Sequence, residues 1–176
     1  VRERRAAQQC RRAREFEAFV AGAAGRLLHA ATLLTGDPAA AERLLTAALA
    51  RTFAAWDRLH GEDPYDRTRQ ELATRFARTM WRRHPRGGAL ARLTPQERLV
   101  VVLRFYEGVA EEQAAAQLGL PAERIRAICL RATSTLRSRP PAPPSVSGEA
   151  HPADAGRPTG ERRSSEEGEG HAVRAP

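Results

Sequence analysis

Apolar residues along this chain recur in blocks of helical period, separated by short Gly, Pro or polar breaks. From about Ala13 to Leu34, the positions Phe16, Phe19, Val20, Ala23, Leu27, Leu28 and Ala31 return every three or four residues, as on a helix with one buried face. Residues 1–12 lack such a face and read as a basic extension, either frayed or the start of that helix. Thr35 to Pro38 interrupts the pattern, with Asp37 placed to cap the next helix and Pro38 in its first turn. That second helix runs to about Leu59 through Ala41, Leu44, Leu45, Ala48, Leu49, Thr52, Phe53 and Trp56, a face broad enough for two neighbours. A third, from about Tyr65 to Arg83, has a narrow apolar stripe of Leu72, Ala73, Phe76 and Met80 and many arginines outside it.

His84 to Gly88 is the best break between two modules. Beyond it, Thr94-Pro95-Gln96-Glu97 has the form of a capping box, opening a helix that packs Leu99, Val100, Val102, Leu103 and Tyr106 and ends at Gly108. Glu111 to Leu130 then reads as two short helices around a tight turn. Its apolar positions are Ala114, Leu118, Leu120, Ile125 and Ile128, with small Ala115 at the crossing and Gly119 where the chain must reverse with positive φ. Pro121 suits the first turn of the second helix, which continues to Ser138. This is the spacing of a helix-turn-helix, and Arg124 and Arg126 fall on the end of the helix that enters a DNA groove in that motif. From Arg139 on, seven Pro and five Gly in 38 residues, with only Val146 and Val173 larger than Ala among aliphatics, predict a disordered tail. The expected architecture is all-α: helical domains over 13–83 and 90–138, a linker at 84–89, the extension 1–12 and the tail 139–176.

Charge distinguishes body from tail. Of 29 basic and 21 acidic residues, positions 139–176 hold 5 and 6, which leaves 24 against 15 in residues 1–138. The positive field belongs to the folded part, although all 29 are Arg and none is Lys, a bias that itself weakens charge as evidence for nucleic acid. Cys10 and Cys129 lie in no metal-ligand spacing and the five histidines are far apart, so neither metal site nor disulfide framework is implied. No uninterrupted apolar run reaches spanning length, so no membrane insertion is expected and a cytoplasmic location is. Paired carboxylates, a phosphate loop and a nucleophile elbow are all missing, which argues against an enzyme and implies no cofactor.

Residues 16–138 resemble an extracytoplasmic-function (ECF) sigma factor of bacterial RNA polymerase, of the actinobacterial SigE-like group. The likeness rests on FEAFVAGAAGRLLHAATLLTGD, AAAERLLTAALARTFAAWDRL and, most specifically, LARLTPQERLVVVLRFYEGVAEEQAAAQLGLPAERIRAICLRATSTLR. The resemblance implies a region 2 and a region 4, a core RNA polymerase partner, promoter DNA and an anti-sigma factor as a further partner. On that basis Ala122, Glu123, Arg124, Arg126 and Ala127 would face the upstream (minus-35) element, with Arg131 and Arg137 on phosphates. Arg75, Phe76, Arg78, Trp81, Arg82 and Arg83 would meet the melted downstream (minus-10) strand, where planar cations and aromatics can stack on bases. Glu42, Arg43, Leu45, Thr46 and Leu49 would bind the polymerase. The chain departs from the family there, since Arg43, Thr46 and Ala47 replace an acid, a Gln and an acid, and Thr74 and Arg75 stand where an Asn is usual. Those departures keep open a second reading, a sigma-like regulator or interaction module without initiation activity.

Overall fold

The structure, a computed structural model, describes residues 2–59, 61–79 and 87–138, and every regular element among them is helical. Met80, Trp81, Arg82 and Arg83, residues 84–86 of the expected linker and the expected 139–176 tail lie outside the described residues. α1 spans Arg2–Thr35, so residues 2–12 begin the first helix rather than fraying from it. Tertiary contact supplies the reason. Arg12 pairs with Asp57 at 3.0 Å, stacks its guanidinium 4.3 Å over the Phe53 ring and donates to the Phe53 carbonyl. α1 is also long and apolar enough to cross a bilayer by length and composition. Uninterrupted runs do not reveal this, because Glu17, Arg26 and His29 break up a stretch whose Ala, Leu, Val and Phe keep the average hydropathy high. In the fold its Ala23, Leu27, Ala30, Ala31 and Leu34 edge is buried, in a helix that packs against α2 and α3.

α2 occupies Pro38–Ala55, with Asp37 accepting from the Ala40 N–H at 2.7 Å and Pro38 in its first turn, as the pattern predicts. It gives way to a 3-10 turn at Trp56–Arg58. α3, Pro64–Thr79, packs along α2, and the two share a buried pair of hydroxyls, Thr52 and Thr68, 2.9 Å apart. Two of the arginines expected on the outer face of α3 are taken up within the helix: Arg69 is buried and pairs with Asp66 at 3.0 Å, and Arg67 pairs with Glu71 at 3.0 Å.

The capping box forms as predicted: Glu97 N–H donates to Thr94 Oγ1 at 3.3 Å and Thr94 N–H to Glu97 Oε2 at 3.0 Å. α4 covers Pro95–Val101, then widens into a π turn at Val102–Tyr106 that no spacing rule announced. α5, Glu111–Leu118, and α6, Ala122–Arg137, follow. Between them Gly119 adopts φ 64°, the left-handed conformation the tight turn requires. Pro121 is extended and caps α6 rather than entering it, its carbonyl accepting from the Arg124 and Ile125 N–H groups. α4 and α5 both pack on α6 over Ala114, Ala115, Ile125, Ile128 and Ala132, all buried.

Val1–Pro140 forms one compact unit, in which α4 also touches α1 and α3.

Candidate nucleic-acid interface

α6 has two unlike sides. Ile125, Ile128 and Ala132 face the core, so the helical period turns Glu123, Arg126, Ala127, Leu130, Ser134 and Arg137 outward. Arg124 and Arg131 flank that outer strip, and all four arginines are exposed. Ala122 and Ala127 are half-buried, small enough to let a groove edge approach. Leu130, 67% exposed, sits among these charges and was not among the expected contacts. Its exposure sets it apart from the core-facing isoleucines, and a bare apolar side chain there suits a thymine methyl.

Two of the arginines already have partners. Arg126 Nη2 lies 2.8 Å from Glu111 Oε1, and Arg131 Nε lies 3.6 Å from Glu97 Oε1. Both acids stand in the first turn of their own helices, where the helix dipole favours negative charge, so each ties α6 to an N-terminus in front of it. Fifteen residues separate Glu111 from Arg126 and thirty-four separate Glu97 from Arg131, distances at which no local spacing rule operates. Because the arginines are more than half exposed, each pair is worth about 0–1 kcal/mol, less than a bidentate contact with guanine at about 1–3 kcal/mol. Such a contact would therefore outweigh the Arg126–Glu111 pair.

The α3 residues are arranged differently. Phe76 is 4% exposed and belongs to the core, so no base can stack on it here; the narrow apolar stripe of α3 needs its ring. Arg75 is half-buried, and Arg78 is exposed. On α2, Glu42, Arg43 and Thr46 are exposed and Leu49 is half-buried, whereas Leu45 is turned into the core. Thr46 and Leu49 line an open groove of 400 Å³ with Ala13, Phe16, Glu17, Ala50 and Phe53. Phe16 anchors its wall, its ring 4.8 Å from Phe53 and 5.1 Å from Trp56. Periodicity marks Phe16, Phe53 and Trp56 only as core-facing, and the half-exposed aromatic wall appears only once α1 and α2 are side by side. Among the described residues no His, Cys, Asp or Glu cluster could hold a metal ion. Cys10 and Cys129 are both free thiols, and burial pushes the Cys129 thiol upward.

A helix-turn-helix whose second helix presents an outward arginine face defines a DNA-binding protein of the helix-turn-helix class. Residues 89–138 match the family Sigma-70, region 4. The chain is similar to the RNA polymerase sigma-E factor of Streptomyces coelicolor, 30% identical over 149 aligned positions covering 70% of this chain and 84% of that protein. It is likewise similar to the sigma-E factors of Streptomyces avermitilis (29%) and Streptomyces antibioticus (28%), each over 70% of this chain and 83% of the relative. The chain belongs to the sigma-70 family, in its ECF, sigma-E-like branch. Its fold is shared with the anti-anti-sigma factor PhyR of Bartonella quintana, solved in complex with the anti-sigma factor NepR, at a TM-score of 0.51 and 20% identity. That likeness covers 68% of this chain and about half, 48%, of PhyR.

Proposed function

We propose that this chain binds core RNA polymerase in the cytoplasm and directs it to a small set of promoters, with α6 reading the upstream element. The observation that carries this reading is the outward face of α6, with Arg124, Arg126, Arg131 and Arg137 exposed on a helix-turn-helix of a sigma-70 family member. Ala122, Glu123 and Ala127 complete the groove-facing strip. Arg124 and Arg126 supply base contacts, while Arg131 and Arg137 hold phosphates and set register. The polymerase meets the exposed edge of α2, Glu42, Arg43, Thr46 and Leu49, together with the aromatic groove beside it. Arg75 and Arg78 are the α3 groups available to the downstream strand. The protein contributes positioning and recognition rather than bond-making groups, and an anti-sigma factor is its natural antagonist.

The test is reconstituted transcription: purified chain, core polymerase and a pool of promoter fragments. Promoter-dependent transcripts support the proposal, and failure to bind core polymerase overturns it. The regulator reading is motivated by Arg43, Thr46 and Ala47, and it predicts DNA binding through residues 111–138 with no capture of the polymerase clamp.

A further inference from the structure

Residues 2–14 carry six arginines, Arg2, Arg4, Arg5, Arg11, Arg12 and Arg14, against a single acid, Glu3, and so supply +5 of the formal +8 of the whole chain. A bias toward Arg over Lys explains the choice of cation but not an excess of five in so short a stretch. The helical period sorts these residues. Arg5, Gln8, Gln9 and Arg12 stand at i, i+3, i+4 and i+7 and share one face of α1, whereas Arg14, nine residues after Arg5, points the opposite way. The shared face overlooks the 3-10 turn at Trp56–Arg58, and an open cleft of 210 Å³ lies there, lined by Arg5, Gln8, Gln9, Arg12 and Asp57. Arg12 brackets the cleft. Its guanidinium is taken up by Asp57 at 3.0 Å, the Phe53 carbonyl and the Phe53 ring, so it holds α1 to the turn and offsets the one acid on the lining. Arg5, about 10.5 Å from Arg12 along the helix axis, is exposed, as are Gln8 and Gln9. Among the described residues none of these three side chains has a hydrogen-bond or ion-pair partner.

We infer that this cleft is a further binding site of the protein, taking a backbone phosphate of duplex DNA on Arg5, Gln8 and Gln9. The donor set selects an oxyanion. A guanidinium fork grips two phosphate oxygens while carboxamide N–H groups reach the others, contacts that position a protein on DNA without reading its sequence. A membrane fits poorly: apart from Ala6, Ala7 and Cys10, every residue of 2–12 is charged or carries an amide, so nothing apolar could enter a bilayer. An acidic protein segment fits poorly too, because the lining offers no apolar or aromatic anchor for a desolvated interface. The choice of duplex DNA among phosphodiesters rests on the reading of α6 as a DNA-binding helix; the oxyanion chemistry does not. The consequence is a hold on DNA that is indifferent to sequence and adds to recognition by α6, one more phosphate contact steepening the salt dependence by about 0.9 in the logarithmic slope.

Fluorescence anisotropy of the full chain on a scrambled duplex, at about 50 and about 200 mM salt, reads this contact. Arg5→Gln should weaken binding about two- to fivefold at the lower salt and reduce the salt slope by about one. Gln8→Ala combined with Gln9→Ala removes no charge and should still weaken binding, by about twofold or more, with the slope unchanged. Arg14→Gln removes the same charge on the far side of α1 and should leave affinity and slope nearly as they were. Helicity is expected to stay the same in all three variants, because every replaced side chain is exposed. Unchanged binding by Arg5→Gln overturns the inference. Equal losses from Arg5→Gln and Arg14→Gln, or no loss from the glutamine pair, overturn it as well and leave only the diffuse attraction of a cationic helix. Arg5-dependent capture by phosphatidylglycerol vesicles, tighter than capture by the duplex, would assign the cleft to lipid headgroups and likewise overturn it. Neither polymerase nor a recognised sequence enters the assay. Failure of the initiation reading would therefore leave an Arg5 effect standing, and absence of that effect would leave sequence preference at α6 intact.

Discussion

Replacing Glu111 by Gln should tighten the binding of this protein to its recognised duplex by releasing Arg126. The Arg126 Nη2 to Glu111 Oε1 contact is 2.8 Å, with the two side chains 64% and 16% exposed. Two unit charges at about 4 Å in a water-like dielectric attract by about 1 kcal/mol, and screening at physiological salt brings the pair to about 0–1 kcal/mol. The expected gain is therefore up to about fivefold in Kd. Arg126→Ala should instead cost about 1–3 kcal/mol on the recognised sequence, about 5- to 160-fold, and little on other DNA. Fluorescence anisotropy on matched and scrambled duplexes at two salt concentrations measures both. In the double variant the Gln gain should vanish, because there is no longer an arginine to release. A Glu111→Gln gain that persists without Arg126 would refute the reasoning and assign the effect to net charge alone. Arg126→Ala weakening all sequences equally, with a salt slope smaller by about one counterion, would make Arg126 a phosphate contact.

Three further outcomes are expected. Ile128→Ala, at a fully buried position between α6 and its neighbours, should lower stability by about 2–5 kcal/mol in urea unfolding, against under about 0.5 kcal/mol for exposed Ser134→Ala. Thr94→Ala removes the side-chain half of the capping box and should cost about 1 kcal/mol, visible as a lower thermal midpoint. The Tyr65 hydroxyl is pushed well above the usual tyrosine range by burial and by its bond to Glu107. The folded state therefore holds this proton more tightly than the unfolded chain does, and stability is full below the ordinary tyrosine pKa of about 10 and falls as pH rises beyond it. Unfolding midpoints between pH 8 and 11 should show that decline, and Tyr65→Phe should reduce it; an unchanged slope would remove Tyr65 as its source.

Position also ranks variants. Substitutions at buried Arg98 or Glu107 should lower stability, whereas substitutions on the outer face of α6 should change DNA selection and leave stability near its original value. The two sets share no residue, because the α6 face looks away from the core that joins α4 to α6.

Local chemistry made much of this protein legible from its residues alone. The helical periods, the Asp37 and Thr94 caps, the small Ala115 at the crossing and the positive φ of Gly119 each depend on neighbours within about four positions, so the chain itself dictates them. The same is true of the outward arginines of α6, since the isoleucines that face inward fix the opposite side by elimination. What lay beyond reach involves partners far apart in the chain. Phe76 and Leu45, candidates for contact with DNA and polymerase, are spent on the core, and Arg69 is buried where a cationic surface was expected. Glu107 meets Tyr65 across 42 residues, Arg98 meets Leu34 across 64, and Arg12 reaches Phe53 across 41. A charged side chain reads as surface until packing supplies a specific partner that makes burial affordable, and only the tertiary structure decides which charges have one.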